Sequence, residues 1–252
     1  MNLDRNNGKL FFAAGLAIRL AAGVSPASRT GFPLPLSVPA VATAPSPAGA
    51  PSVFSPDKGK LRITIDGQPV GSEDFEISES GDAWIERSSM SAHLPGGDIK
   101  AKGELKLSAD GAPIRYDWSA EAQKKATGAV DFSSGTAKCT ADLGGVSPLR
   151  KDFTFTSPRV AVLDNNIYFQ FGVLARVYDW KAGGKQNFPV LIPQDMTPGT
   201  ISVESLGQQQ TGTKYQAVRV SSPDLEIMVY LDANHRMMRL EVPSSNVTIE
   251  RE

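Results

Sequence analysis

The sequence predicts a mainly β protein, a large curved antiparallel sheet or open half-barrel of about 11–13 strands wrapped around one central α-helix. Two observations carry this prediction. Most of the 252-residue chain alternates apolar and polar residues in strand-length runs bounded by turn residues. One segment, 164–181, instead repeats apolar residues at helical spacing.

Alternation is plainest in 99–108, where Ile99, Ala101, Gly103, Leu105 and Leu107 share one face and Lys100, Lys102, Glu104, Lys106 and Ser108 the other. The next run places Ile114, Tyr116, Trp118, Ala120 and Ala122 opposite Arg115, Asp117, Ser119 and Glu121. Asp110-Gly111 between them is a tight hairpin turn. Upstream, Leu61, Ile63 and Ile65 lead to the Asp66-Gly67 turn, Phe75 and Ile77 follow, and Trp84 to Leu94 runs to Pro95-Gly96-Gly97-Asp98. Downstream come Ala126 to Phe132, the Ser133-Ser134-Gly135 turn, Ala137 to Leu143 and Phe153 to Phe155. Beyond the helix lie six further runs, from Phe188 to Ile249. Every connection is short enough for antiparallel neighbours, and the absence of a strand-helix-strand rhythm argues against a parallel sheet.

In a helix over 164–181, Ile167, Phe171, Leu174 and Tyr178 form one stripe, while Phe169, Val173, Val177 and Trp180 fill much of the remaining circumference. A helix apolar on most sides must be covered on most sides, so it belongs to the core. Asp164 is the expected N-cap and Gly183-Gly184 the left-handed stop. The competing assignment is a strand, because Phe169, Phe171 and Val173 also alternate.

Three segments divide the chain. Residues 1–27 have the pattern of a signal peptide: Arg5 and Lys9 precede the apolar run Leu10 to Ile18, and small residues at Ser25 and Ala27 suit a signal peptidase. Residues 28–57 form a Pro/Ala/Ser-rich linker, expected to be disordered; Pro26 to Pro56 contains eight of the eighteen prolines. Residues 58–252 then form a single antiparallel β domain. The location implied is periplasmic or secreted, with a non-cleaved membrane-proximal anchor at the N-terminus as the alternative. The apolar run is too short to span a bilayer, so no integral membrane span is expected. The first 56 residues hold four basic residues and one acid, so 22 of the 26 basic and 26 of the 27 acidic residues lie beyond them. A net charge of about minus four there argues against nucleic acid, which needs a concentrated basic footprint.

Catalytic and metal motifs are absent from the sequence: there is no G-x-S-x-G elbow, phosphate loop, dinucleotide fingerprint or H-E-x-x-H. No cofactor or metal is expected. His93 and His235 read as exposed turn residues. Cys139, the only cysteine, shares a face with Ala137 and Ala141 and reads as a small core residue. Glu73, Asp74, Glu76 and Glu79 read as the water-facing side and end of a strand.

The inward faces carry a neighbourhood of small side chains, Ala101, Gly103, Ala120, Ala122, Ala126, Gly128, Ala137, Cys139 and Ala141, bordered by Trp84, Met90, Tyr116, Trp118, Phe132 and Phe153. The helix itself can fill the room they leave, its backbone approaching the sheet closely. Alternatively that room is an apolar pocket between sheet and helix, with Trp84, Met90, Tyr116, Trp118, Phe169, Phe171 and Trp180 as candidate ligand-binding residues.

The leader, the run of hairpins, the helix segment LDNNIYFQFGVLARVYDW, the following FPVLIPQ and the closing LEIMVYLDANHRMMRLEVP resemble a bacterial exported family of unknown function whose sheets curl around a helix. That arrangement is similar to the periplasmic lipoprotein carriers and their lipid-binding relatives. The resemblance implies an extracytoplasmic setting and a hydrophobic ligand, and carries over no residue role. The functional expectation is an exported non-enzymatic envelope protein that binds a lipid or other hydrophobic small molecule between sheet and helix. The alternative is a scaffold or interaction module with a solid core whose partner is another envelope protein. A hydrolase with an unrecognised carboxylate site is the third reading.

Overall fold

The computed structural model describes residues 52–145, 147–211 and 213–252. The segment 1–27 read as a signal peptide, and most of the segment 28–57 read as a linker, therefore lie outside the described residues. Strands are β1 (Asp57–Ile65), β2 (Gln68–Ser80), β3 (Ala83–Leu94), β4 (Gly97–Ser108), β5 (Pro113–Glu121), β6 (Lys125–Ser133), β7 (Thr136–Asp142), β8 (Leu149–Thr154) and β9 (Ala161–Val162). Helix α1 (Phe169–Val177) follows, then β10 (Lys185–Ile192), β11 (Thr197–Thr211), β12 (Thr213–Ser222), β13 (Leu225–Leu231), β14 (Met237–Val242) and β15 (Val247–Arg251). All fifteen strands join one sheet, in the order β8-β7-β6-β5-β4-β3-β2-β1-β15-β14-β13-β12-β11-β10-β9.

The mainly β architecture with one buried helix is as the sequence predicts. Alternation sets the two faces of the sheet: on β4, Ile99, Ala101, Leu105 and Leu107 are buried while Lys100, Lys102, Glu104 and Lys106 are exposed. Hairpin turns set the register. Asp66 and Gly67 take φ of 50° and 75°, and Ser134 and Gly135 take 48° and 80°, the left-handed pair whose twist matches the flanking strands. One expectation fails locally: Ile114 is exposed, because a register shift between Lys106 and Leu107 pairs Leu107 with Pro113 and turns Pro113 inward instead.

The sheet is not wholly antiparallel. β9 pairs with β10 in parallel, and α1 lies in the crossover between them. With two residues, β9 has no alternation to read, which is why sequence pattern misses the unit. β9 also lies against β5, so the sheet rolls round until one edge meets its own fifth strand, and β6 to β8 continue beyond that seam.

Helix α1 is buried from Phe169 to Arg176, which settles helix against strand for this segment. It is shorter than 164–181 at both ends. Asp164 is not the N-cap; its Oδ1 accepts from the backbone N–H of Asn166 at 2.8 Å, closing a turn four residues upstream of the N-cap, Tyr168. The helix ends where Tyr178 becomes extended (ψ 131°), well before the glycine pair. The helix comes close to β14 at Gly172, where a Cβ would lie 3.0 Å from the Cβ of Met237.

The room left by the small residues is taken by their own neighbours. Trp118 pairs directly with Gly103 and Gly128, and a Cβ on Gly128 would meet its indole at 2.5 Å. A Cβ on Gly103 would meet the Tyr116 hydroxyl at 2.7 Å. On the other wall, Phe169 stacks on Phe75 with centroids 3.8 Å apart. At the end of the linker, residues 52–57 dock rather than trail: Phe54 is buried against Trp84, with centroids 5.8 Å apart.

Candidate functional site

The most unusual chemistry in the molecule lies at the two ends of α1. At the N-terminal end, Glu73 reaches in from β2 and caps the helix in place of any residue of the helix's own segment. Its Oε2 accepts from the N–H of Tyr168 at 2.8 Å and its Oε1 from the N–H of Phe169 at 3.1 Å. Both are donors that a helix start leaves without an intrahelical partner, and a carboxylate there also meets the positive end of the helix dipole. Glu73 is wholly buried, so its assignment to the water-facing side of the strand is corrected; Asp74, Glu76 and Glu79 are exposed as expected. Parity carries the signal, since Glu73 shares its face with the inward Phe75 and Ile77.

Glu86 on β3 is the second buried carboxylate, on the same face as Trp84, Ser88 and Met90. Ser88 Oγ donates to its Oε1 at 2.5 Å, while Oε2 has no partner among the described residues. Asp164 is the third, accepting at Oδ2 from the Tyr116 hydroxyl at 2.5 Å and from the side-chain amide of Gln194. Gln170, in the first turn of α1, accepts the Asp164 N–H at 2.6 Å and leaves its own Nε2 unpartnered among the described residues.

Burial dominates the electrostatics. It pushes the Glu73 carboxyl up to about 7, against the opposing pull of the two helix N–H groups. It pushes Glu86 up to about 8, with Ser88 opposing and the charges of Glu73 and Asp164 adding to the rise. Asp164 is raised for the same first reason, and Tyr116 is raised by burial and then by the Asp164 charge beside it. Burial thus favours the protonated form at all three carboxyls. All three carboxyls are buried from solvent.

The C-terminal end of α1 is built from opposite charges. Arg176 donates to Asp57 at 2.6 Å and to the Ser55 carbonyl at 2.9 Å, and Asp57 also accepts from Arg251 at 2.5 Å. The side chains of Arg176 and Asp57 are 3% and 4% exposed, so this is a buried ion pair joining the helix to the first and last strands. Trp180 stacks on His235 with centroids 4.3 Å apart, which half-buries His235 and corrects its assignment as an exposed turn residue. Burial lowers the His235 pKa. His93 is exposed and pairs with Asp98. Cys139 is buried, and burial raises its thiol to about 11.

The candidate ligand residues are distributed through the packing. Trp84 meets Phe54, Tyr116 meets Asp164, Trp118 covers Gly128, Phe169 stacks on Phe75, Met90 and Phe171 are buried in the core, and Trp180 stands at the far end of α1. The space between α1 and β4, lined by Leu105, Leu107, Gln170, Val173 and Leu174 among others, measures about 20 Å³. That is room for one water. A shallow depression of about 600 Å³ spans β2 to β5 and is lined largely by charged residues, among them Asp74, Glu76, Arg87, Lys102, Glu104 and Asp117. Among the described residues no cluster of His, Cys, Asp or Glu could hold a metal ion, and no helix is long and apolar enough to cross a membrane.

No known family and no curated protein matches the chain. Among solved structures, the crystal structure of a β-barrel-like protein of the domain of unknown function DUF1849 from Brucella abortus superposes with a TM-score of 0.54. The two chains are 10% identical, and the match covers 80% of this chain and 96% of the other. The likeness is one of fold, to a protein of unknown function.

Proposed function

We propose that this chain is an exported, non-enzymatic envelope protein acting as an interaction module with a solid core. One observation carries the reading: the interior that a carried molecule would occupy is filled by α1, Tyr116 and Trp118, leaving about 20 Å³ beside the helix. Specificity then falls to the surface, and the free end of the sheet at β8 is the natural place for it. The buried carboxyls support the non-enzymatic part of the reading, because Glu73 and Glu86 have no exposed surface for a substrate to reach. A photo-reactive residue at Leu149, on β8, is expected to capture a protein in intact cells, and the same residue at Lys100, on the outer face of β4, is not. Equal capture at both positions, or none at either, overturns the proposal.

A second reading, binding of a lipid or other apolar molecule, draws on the wall of Ala101, Ala120, Ala126, Ala137 and Ala141 beside Met90 and Trp118, and on the similarity to lipid carriers read from the sequence. It requires α1 to move aside. Lipid extracted with the purified protein in stoichiometric amount favours this reading over the first.

A further inference from the structure

The two ends of the sheet are unlike. β9 is two residues long and lies against β5, whereas β8 pairs among the described residues only with β7 and is exposed at Leu149, Arg150, Lys151, Asp152 and Thr154. Leu149, at 52%, is the most exposed of the large hydrophobic residues described. A strand edge presents a row of free N–H and C=O groups, and short charged strands admit few partners.

The sequence of β8 is complementary to itself. Read antiparallel about Lys151, Leu-Arg-Lys-Asp-Phe places Leu149 opposite Phe153 and Arg150 opposite Asp152, each twice. The faces agree. Leu149, Lys151 and Phe153 lie on the side of Ala141, Cys139 and Ala137, while Arg150 and Asp152 lie on the side of Thr140 and Lys138. Apolar residues would meet on one side and opposite charges on the other. Arg150 and Asp152 form no ion pair among the described residues, although Arg115 and Asp117, spaced alike on β5, pair at 2.6 Å. The like-charged Lys151 pair at the centre is the cost, eased because each ammonium lies over its own Phe153 ring, 4.9 Å from the centroid.

We propose that β8 docks a second copy of this chain, edge to edge and antiparallel, about a two-fold axis through Lys151. The charges that turn away a generic strand select this one. The contact is isologous, and its small size makes the dimer weak, on the order of micromolar. The inference rests on the interaction-module reading and narrows it to a partner.

Sedimentation velocity of the full chain from micromolar to millimolar concentration is expected to show a monomer-dimer equilibrium. Asp152→Arg and Arg150→Asp, which each set like charges face to face, should weaken it about tenfold or more. The Arg150→Asp/Asp152→Arg double variant, which exchanges the pair, should restore it. Thermal melting checks that all three fold. In a Cys139→Ala background, Lys151→Cys should form a disulfide-linked dimer on mild oxidation, and Leu149→Cys should not. A wild-type chain that stays monomeric, or association that the single variants leave unchanged, overturns the proposal. If the chain stays monomeric while Leu149 captures a different protein in cells, the dimer falls and the interaction module stands.

Discussion

At the C-terminal end of α1 a buried guanidinium meets a buried carboxylate; at the N-terminal end three buried carboxyls meet no cation among the described residues. Arg176 and Arg251 both pair with Asp57, one on each carboxylate oxygen. Glu73, Glu86 and Asp164 are held instead by neutral donors, the helix N–H groups, Ser88, Tyr116 and Gln194. Burying charge is costly either way, but opposite charge removes the cost by pairing, whereas neutral donors leave it to be removed by a proton. One end of the helix is thus held by a charge pair, and the other by neutral donors around carboxyls that burial raises.

The largest effect is expected at the paired end. Asp57→Ala leaves Arg176 buried without its partner and should cost about 3–5 kcal/mol in urea unfolding. A loss under about 1 kcal/mol would show that the guanidinium reaches water and that the two ends differ less than the geometry implies.

Acid and alkali test the other end. A carboxyl whose folded pKa is raised gives stability that is fully present below its unfolded value and lost as pH rises through the folded one. With Glu73 raised from 4.5 to about 7 and Glu86 from 4.5 to about 8, unfolding free energy should fall by several kcal/mol as pH rises from about 5 to 8.5. Glu86→Gln, neutral at every pH and still accepting from Ser88, should flatten the upper part of that fall and leave the variant more stable than wild type at pH 8.5. A stability profile that rises over this range contradicts the assignment.

Removing the cap is next in size. Glu73→Ala orphans the N–H groups of Tyr168 and Phe169 and should cost about 2–3 kcal/mol. Hydrogen exchange separates this from general destabilisation: amides in the first turn of α1 should lose protection before those of β13. Smaller again is Gly128→Ala, which sets a methyl 2.5 Å from the Trp118 indole and should cost about 1–3 kcal/mol by overpacking. Glu104→Gln breaks only the exposed pair with Arg87 and should shift stability by no more than about 0.5 kcal/mol.

Much of the frame was legible in the residues. Period-two alternation and the turn pairs Asp66-Gly67 and Ser134-Gly135 gave the hairpins, because side-chain direction in a strand and the backbone twist of a turn are local matters. The buried helix was legible too, since few of its faces carry polar residues. Even the inward position of Glu73 and Glu86 lay in the parity of their strands, hidden by the habit that carboxylates face water.

Other features were decided only by tertiary structure. Asp164 is four residues too early to cap α1, and the residue that does so stands 96 positions upstream of Phe169 on another strand. No local pattern records that pairing. The parallel β9–β10 ladder, the meeting of β9 with β5 and the use of the small-residue wall by Tyr116 and Trp118 likewise depend on how far the sheet rolls. That roll sums small twists over fifteen strands. The sequence alone determined which faces were apolar and where the chain turned, because those are short-range properties; which distant groups met inside, and with what charge, was set by closure of the sheet.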